Sequence, residues 1–395
     1  MMHAVLHTLL YEYAAYACFL MVWAVHFCTA LSYRRMARLV RQAQADGKAT
    51  ETATEEPISV ILTAHNQAEA LRRNLPAILE QEYDEFEVVV VNDASTDDTE
   101  DVLTQLELAY PHLRHTFTPA DARYVSHKRL SLTLGIKSAR HEWLLLTESD
   151  CRPLTPYWLR SMSRHFGPDI QMVLGYANYE RDKRGLSRKA VFFNLFHQMQ
   201  YLPWAMRHKA YRCSPDNLAY RKSLFMSHQG FASDVSLLEG ATELLVNRHS
   251  TNTNTAVALS PEAKIECALP VSAKQWRLKR TYYMETRRHF KGTFRYRLCF
   301  NLKQCVVPLF YLAAAAAAGW GAWHRQWIAV GVVAVLTLLL CTLKSVWFNR
   351  SARALGERSY LLSFWWYELR LHVWHAYSLA NHLFAPRNIF RRKPF

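Results

Sequence analysis

The chain has 395 residues, half of them hydrophobic, with 48 Lys and Arg against 33 Asp and Glu, for a formal net charge of +15. Its eight cysteines are scattered without a C-x-x-C pair, which excludes a disulfide-stapled fold and reads as reduced thiols rather than a zinc site. The basic excess suits an anionic membrane surface or a phosphorylated small molecule; it clusters beside apolar runs, not along an aromatic-studded groove, which argues against nucleic acid.

The first apolar run, "LLYEYAAYACFLMVWAVHFCTAL" (9–31), is long enough to cross a bilayer, which takes ~20 residues. "SYRRMARLVRQ" follows at once, without a small-residue cleavage site, so the run reads as an anchor (1–33) and not a removed signal. Basic flanks mark the cytoplasmic side. Residues 34–56 read as a linker, polar from "QAQADGKATETATEEP" onward.

Residues 57–290 carry the soluble pattern. "ISVILTAHN" is an apolar strand with a polar end, and "QAEALRRNLPAILEQ" has helical spacing. "FEVVVVNDASTDDTEDVLTQL" is a strand, an acid-rich turn and a helix; "KRLSLTLGIKSA" is a helix and "EWLLLTESD" a strand. Alternating strands and helices imply an α/β layer with a mostly parallel sheet. Such sheets bind ligands at the carboxyl ends of their strands, where Ala64–Asn66, Asn92–Asp93 and Glu148–Asp150 fall. Glu148 and Asp150 end an apolar run, where an unpartnered charge would be costly. Two oxygen ligands from one short turn suit Mg²⁺ or Mn²⁺ bridging substrate phosphates.

Two late runs, "VVPLFYLAAAAAAGWGAW" (306–323) and "WIAVGVVAVLTLLLCTLKSVWF" (327–348), are joined by "HRQ" and flanked by basic residues. They read as a membrane hairpin within 291–348, both ends cytoplasmic. Residues 349–395 read as an amphipathic interfacial helix (359–384) and a basic tail, "RRKPF", positioned for anionic headgroups.

These passages together resemble glycosyltransferase family 2. "SVILTAHNQAEALRRNLPAILEQ" resembles its opening strand and helix, and "EVVVVNDASTDDTEDVL" its second strand. "HKRLSLTLGIKSARHEWLLLTESDCRP" resembles the passage ending in the Asp-x-Asp motif, and "DNLAYRKSLF" its acceptor-side passage. The resemblance implies the GT-A (nucleotide-diphospho-sugar transferase) fold over 57–290, with terminal transmembrane helices as in membrane-bound bacterial members.

Carried over residue by residue, it implies that Ala64, Asn66 and Asp93 line the nucleotide pocket, with Asp93 meeting the base or capping its own turn. Lys128 would lie near the diphosphate. Glu148, Ser149 and Asp150 occupy the Asp-x-Asp positions, with Glu148 and Asp150 on the metal. Asn217 would lie on the acceptor side. In "QWRLKRTYYMETRRHFK" (275–291), Trp276 would stack on a sugar and Arg280 contact phosphate or diphosphate, while Lys279 stands where relatives have glutamine.

One departure stands out. The family's acidic pair, which supplies the general base, falls here on Ala241 and Thr242 in "LLEGATELLVNRHS" (237–250). Glu239 and Glu243 flank the gap, and Asp216, after an atypical Pro215, is a further candidate.

The function so implied is a metal-dependent inverting glycosyltransferase of the bacterial inner membrane with a cytoplasmic catalytic domain. It would move a sugar from a UDP- or GDP-sugar to a lipid-linked or cell-envelope glycan acceptor. A processive polysaccharide synthase and a degenerate nucleotide-sugar-binding member are the alternatives.

Overall fold

The computed structural model describes residues 2–49, 55–119, 126–181, 185–231, 239–270, 272–291 and 294–384. The basic tail falls outside them. The chain divides into two compact units: Met1–Leu39 with Gly292–Leu383, and one centred on Val40–Lys291.

The second unit holds the sheet. Its helices and strands run β1 (Ile58–Ala64), α2 (Ala68–Leu79), β2 (Phe86–Asn92), α3 (Thr99–Ala109), β3 (Leu113–Phe117), α4 (His127–Ser138), β4 (Trp143–Leu146), β5 (Cys151–Pro153) and α5 (Trp158–Ser163). They continue with β6 (Met172–Gly175), β7 (Ala177–Tyr179), α6 (Gly185–Ala205), β8 (Leu218–Arg221), α7 (Lys222–Ser227), α8 (Ala241–His249), β9 (Thr255–Ala258), β10 (Ile265–Cys267) and α9 (Ala273–Arg288). Helix α1 (Met2–Ala49) precedes them.

The main sheet has seven strands in the order β3-β2-β1-β4-β8-β6-β9. β8 runs antiparallel to both its neighbours, and the other pairings are parallel. This is the mostly parallel α/β sheet expected. Every residue of β1 and β4 is buried, because helices cover both faces of a parallel sheet and its strands are mostly apolar. Each fully buried Val, Leu or Ile stabilises by ~1.5–3 kcal/mol. Helix α4 lies so close that a Cβ on Gly135 would stand 2.8 Å from Ile61 Cγ2. A three-stranded sheet, β5-β10-β7, carries Cys151 opposite Cys267.

The parallel register fixes the rim. Ala64 pairs with Asn92, and Ile61 with Leu146, so β1, β2 and β4 all end on one side. In the acid-rich turn after β2 the Asp97 carboxylate accepts from the Ala68 amide at 3.2 Å and the Thr99 amide at 3.1 Å.

The first unit contains most of α1 with α10 (Phe294–Trp323), α11 (Trp327–Ala354) and α12 (Phe364–Phe384). Tyr13–Gln42, Gln304–Trp323 and Trp327–Ala354 are long and apolar enough to cross a membrane. The hairpin turn at His324–Gln326 falls where the sequence places it.

One boundary is corrected: the linker beginning at residue 34 is helical as far as Ala49, since its Ala, Gln, Arg and Lys residues propagate α1. Helix α12 turns a polar side inward and an apolar side outward. Glu368, His372 and His375 are buried, while Trp365, Trp366, Val373 and Tyr377 are exposed. Lys344 Nζ meets Glu368 at 2.6 and 2.8 Å and His26 Nε2 at 3.1 Å, so the partners that reverse α12 lie on α11 and α1.

Candidate active site

The turn Thr147–Asp150 leaves β4 at the sheet's carboxyl rim. The Cys151 amide donates to the Glu148 carbonyl at 3.0 Å, closing the turn. Side chains then alternate. Ser149 faces inward, its hydroxyl directed at the Thr63 carbonyl and Gln67 Oε1 and its own carbonyl accepting from Asn74. Glu148 and Asp150 face an open cavity of about 440 Å³.

Two lysines enter that cavity from different helices. Lys128, on α4, places Nζ 2.9 Å from Glu148 and 3.7 Å from Glu239. Lys279, on α9, lies 3.6 Å from Asp150. Asp216, from the loop before β8, lines the same space and accepts a 2.8 Å hydrogen bond from the Ser214 hydroxyl. Burial pushes the Glu148 carboxyl up to about 7 despite Lys128, with Asp216 and Asp150 adding repulsion. Burial also raises Asp216, against the pull of Lys279. For Lys128, burial opposes the charge, but Glu148 and Glu239 outweigh it and hold the ammonium. Crowded carboxylates with hard oxygen donors are the donor chemistry of a divalent cation such as Mg²⁺ or Mn²⁺, so the residues present fit one.

Glu243, one of the candidate bases, is paired with an arginine. On α8, it is buried and receives Arg212 Nε at 2.7 Å. Arg212 is itself only 2% exposed, donates to the Tyr283 carbonyl at 2.9 Å and stacks 3.2 Å from that residue's ring. Burial raises the Glu243 carboxyl while Arg212 holds it down. Gly240, with φ of +88°, starts α8; a Cβ there would lie 2.3 Å from Thr286 Oγ1.

Trp276 and Arg280 line the cavity from α9, with the Arg280 guanidinium 4.3 Å over the Trp276 ring. Phe193 of α6 packs edge-on against Trp276 and Tyr283.

Asn217 must be reassigned. It is fully buried, its amide donating to the Tyr176 and Ala263 carbonyls at 3.0 and 2.8 Å and its oxygen accepting from Trp158 Nε1. These bonds tie Trp158 of α5 to the chain at Tyr176 and Ala263. Ala64, Asn66 and Asp93 also lie outside the cavity lining. The Asn66 side-chain oxygen accepts from the Thr96 amide at 2.7 Å, and the Ala64 carbonyl accepts from the Asp93 amide. Gln67, Tyr179, Phe193 and Tyr283 line the cavity without having been singled out. Each comes from a separate element, so no local spacing announces them.

The Glycosyl transferase family 2 model matches residues 59–228. Poly-beta-1,6-N-acetyl-D-glucosamine synthase of Staphylococcus epidermidis is 30% identical over 95 residues, 24% of this chain and 22% of that one. Glycosyltransferase AglE of Haloferax volcanii is 26% identical over 151 residues, 38% of this chain and 48% of that one. The chain thus spans less than half the length of these curated relatives. Among solved structures, the mannosyltransferase PcManGT from Pyrobaculum calidifontis, in complex with GDP-Man and Mn²⁺, is similar with a TM-score of 0.55 and 18% identity, over 88% of this chain and 99% of that one. At that identity the likeness is one of fold.

Proposed function

Residues 59–228 are a glycosyl transferase family 2 domain, and from that premise we propose a membrane-anchored, metal-dependent, inverting glycosyltransferase. It takes a UDP- or GDP-sugar and passes the sugar to a lipid-linked or cell-envelope glycan acceptor. The single observation that carries this reading is the convergence of Glu148, Asp150, Lys128 and Lys279 in one cavity at the sheet's carboxyl rim.

Glu148 and Asp150 would hold Mg²⁺ or Mn²⁺, which supplies Lewis-acid neutralisation of the leaving diphosphate. The chain's own part is electrostatic and positional. Lys128 and Lys279 place ammonium groups beside the carboxylates, pre-aimed at developing phosphate charge. Ala64, Asn66 and Asp93 offer the rim beside this cavity to the nucleoside. Trp276 and Arg280 offer a ring face and a guanidinium to the acceptor sugar and phosphate. Asp216 is the better general base. Its carboxyl, raised by burial, is a stronger proton acceptor than an ordinary aspartate, whereas Glu243 is committed to Arg212. Glu239, across Lys128, is the second choice.

The three apolar helices support a membrane anchor, and we place it in a bacterial inner membrane with the catalytic domain cytoplasmic. Titration calorimetry with UDP- and GDP-sugars, with and without Mn²⁺, tests the reading. Wild type should bind one donor class only with metal and hydrolyse or transfer it, and Asp150→Ala should lose the metal-dependent binding. Unchanged donor affinity in Asp150→Ala sinks the site. Metal-dependent binding with no turnover over a broad acceptor panel would favour a binding-only member, a reading prompted by Ala241 and Thr242.

A further inference from the structure

We propose that Cys151, Cys267 and Asp216 form a second cation site, selective for a thiophilic divalent ion such as Zn²⁺, beside the cavity and distinct in chemistry from the hard-ion position. The cysteines stand 116 residues apart in sequence but directly opposite each other across β5 and β10. Directly opposed side chains on antiparallel strands lie on the same face of their sheet. Their sulfurs and an Asp216 carboxylate oxygen all lie within 4.8 Å of one another. Asp150 Oδ1 lies 3.4 Å from Cys151 Sγ, at the edge of the cluster.

A tetrahedral zinc with ~2.3 Å bonds to sulfur sets its ligand atoms ~3.8 Å apart. The observed cluster therefore closes around an ion by small side-chain shifts. Both cysteines are buried, at 0% and 5% exposure, and Asp216 faces the cavity, which gives an ion its way in. Thiolates select Zn²⁺ or Cd²⁺ over the Mg²⁺ or Mn²⁺ that carboxylates alone would take. On binding, each ligating thiol forms a metal–sulfur bond and releases its proton to the buffer.

The site has a consequence for the cavity. Asp216 serves both places, and Asp150 sits between them. A thiophilic ion that takes Asp216 removes the proposed base, so its occupancy switches transfer off. The binding site stands on its own geometry; only this inhibition rests on the function proposed above.

The test uses full-length protein in detergent, keeping Cys151, Cys213 and Cys267 and carrying serine at the other cysteines. Titration with Cd²⁺ should give a sulfur-to-metal charge-transfer band that saturates at one equivalent. Cys267→Ser should abolish the band, and Cys213→Ser should keep it. A missing band, or one that survives Cys267→Ser, overturns the site. Should Cys267→Ser not fold, as judged by circular dichroism, Cys151→Ala and Asp216→Asn are held to the same loss or weakening. In a second arm, Zn²⁺ is titrated against Mn²⁺-supported donor turnover. Cys267→Ser should raise the half-inhibitory zinc concentration at least ~10-fold, the size of effect expected from losing one ligand-shell contact; equal sensitivity refutes the inhibitory role. A chain with the band but no turnover under any condition defeats the proposed function and leaves the metal site intact.

Discussion

Arg212 and Glu243 form an ion pair 2.7 Å long, with the arginine side chain 2% exposed. A guanidinium cannot shed its charge in a protein, so Glu243 is its obligatory counter-ion. Breaking a buried pair from one side typically costs ~3–5 kcal/mol. Glu243→Gln should therefore lower the unfolding temperature markedly, as should Arg212→Met, while the double variant Arg212→Met/Glu243→Leu should recover much of the loss. Thermal unfolding of the three variants checks this. A Glu243→Gln protein with wild-type stability and no turnover would return Glu243 to the role of base.

Asp216→Asn should leave metal-dependent donor affinity within a few-fold of wild type and cut turnover ~10²–10⁴-fold, the usual contribution of a positioned base. The wild-type pH profile carries a sign. Burial raises the Asp216 carboxyl, so kcat/KM should fall as pH drops through a value above the ordinary aspartate range. An acid limb at an unshifted carboxylate value would point to another group.

The sequence made the rim legible because each of its strands is a mostly apolar run ending in polar residues, and a parallel sheet forces those ends to one side. It also made the hairpin of two apolar helices legible down to the His324–Gln326 turn. The Arg212–Glu243 pair was not legible. Its members are 31 positions apart, and nothing in "YRCSPDNLAY" says that the arginine turns inward. Asn217 misled for the opposite reason. A motif associated with an acceptor site turned out to hold its polar groups on the Tyr176 and Ala263 carbonyls, a commitment visible only once β6 and β8 are paired. The cysteines likewise gave no local spacing to read, because β10 brings Cys267 to Cys151 from over a hundred residues away.

Lys344 and Glu368 are nearly fully buried. Lys344→Met and Glu368→Leu should each reduce thermal stability in detergent, and the pair together should restore it, since a matched apolar replacement removes both desolvation penalties. Additive losses in the double variant would show that the contact is not a pair energetically.

Glu87 tests acid stability. Burial alone would raise its carboxyl, but the Ser59 hydroxyl, the Arg140 amide and Arg114 pull it below the ordinary value. A depressed folded value means the stabilisation is complete above the unfolded glutamate value and disappears as pH falls through the folded one. Chemical denaturation from neutral to acid pH should show this loss in wild type and a flatter dependence in Glu87→Gln. Parallel curves would reject it.

The inward polar side of α12 sets how the chain can be shortened. Ending it before Phe364 would remove the Glu368 carboxylate that meets Lys344 Nζ and leave that ammonium without the counter-ion it has in the full chain. The last helix is thus an internal counterweight, and a shortened chain that keeps Lys344 must also keep Glu368.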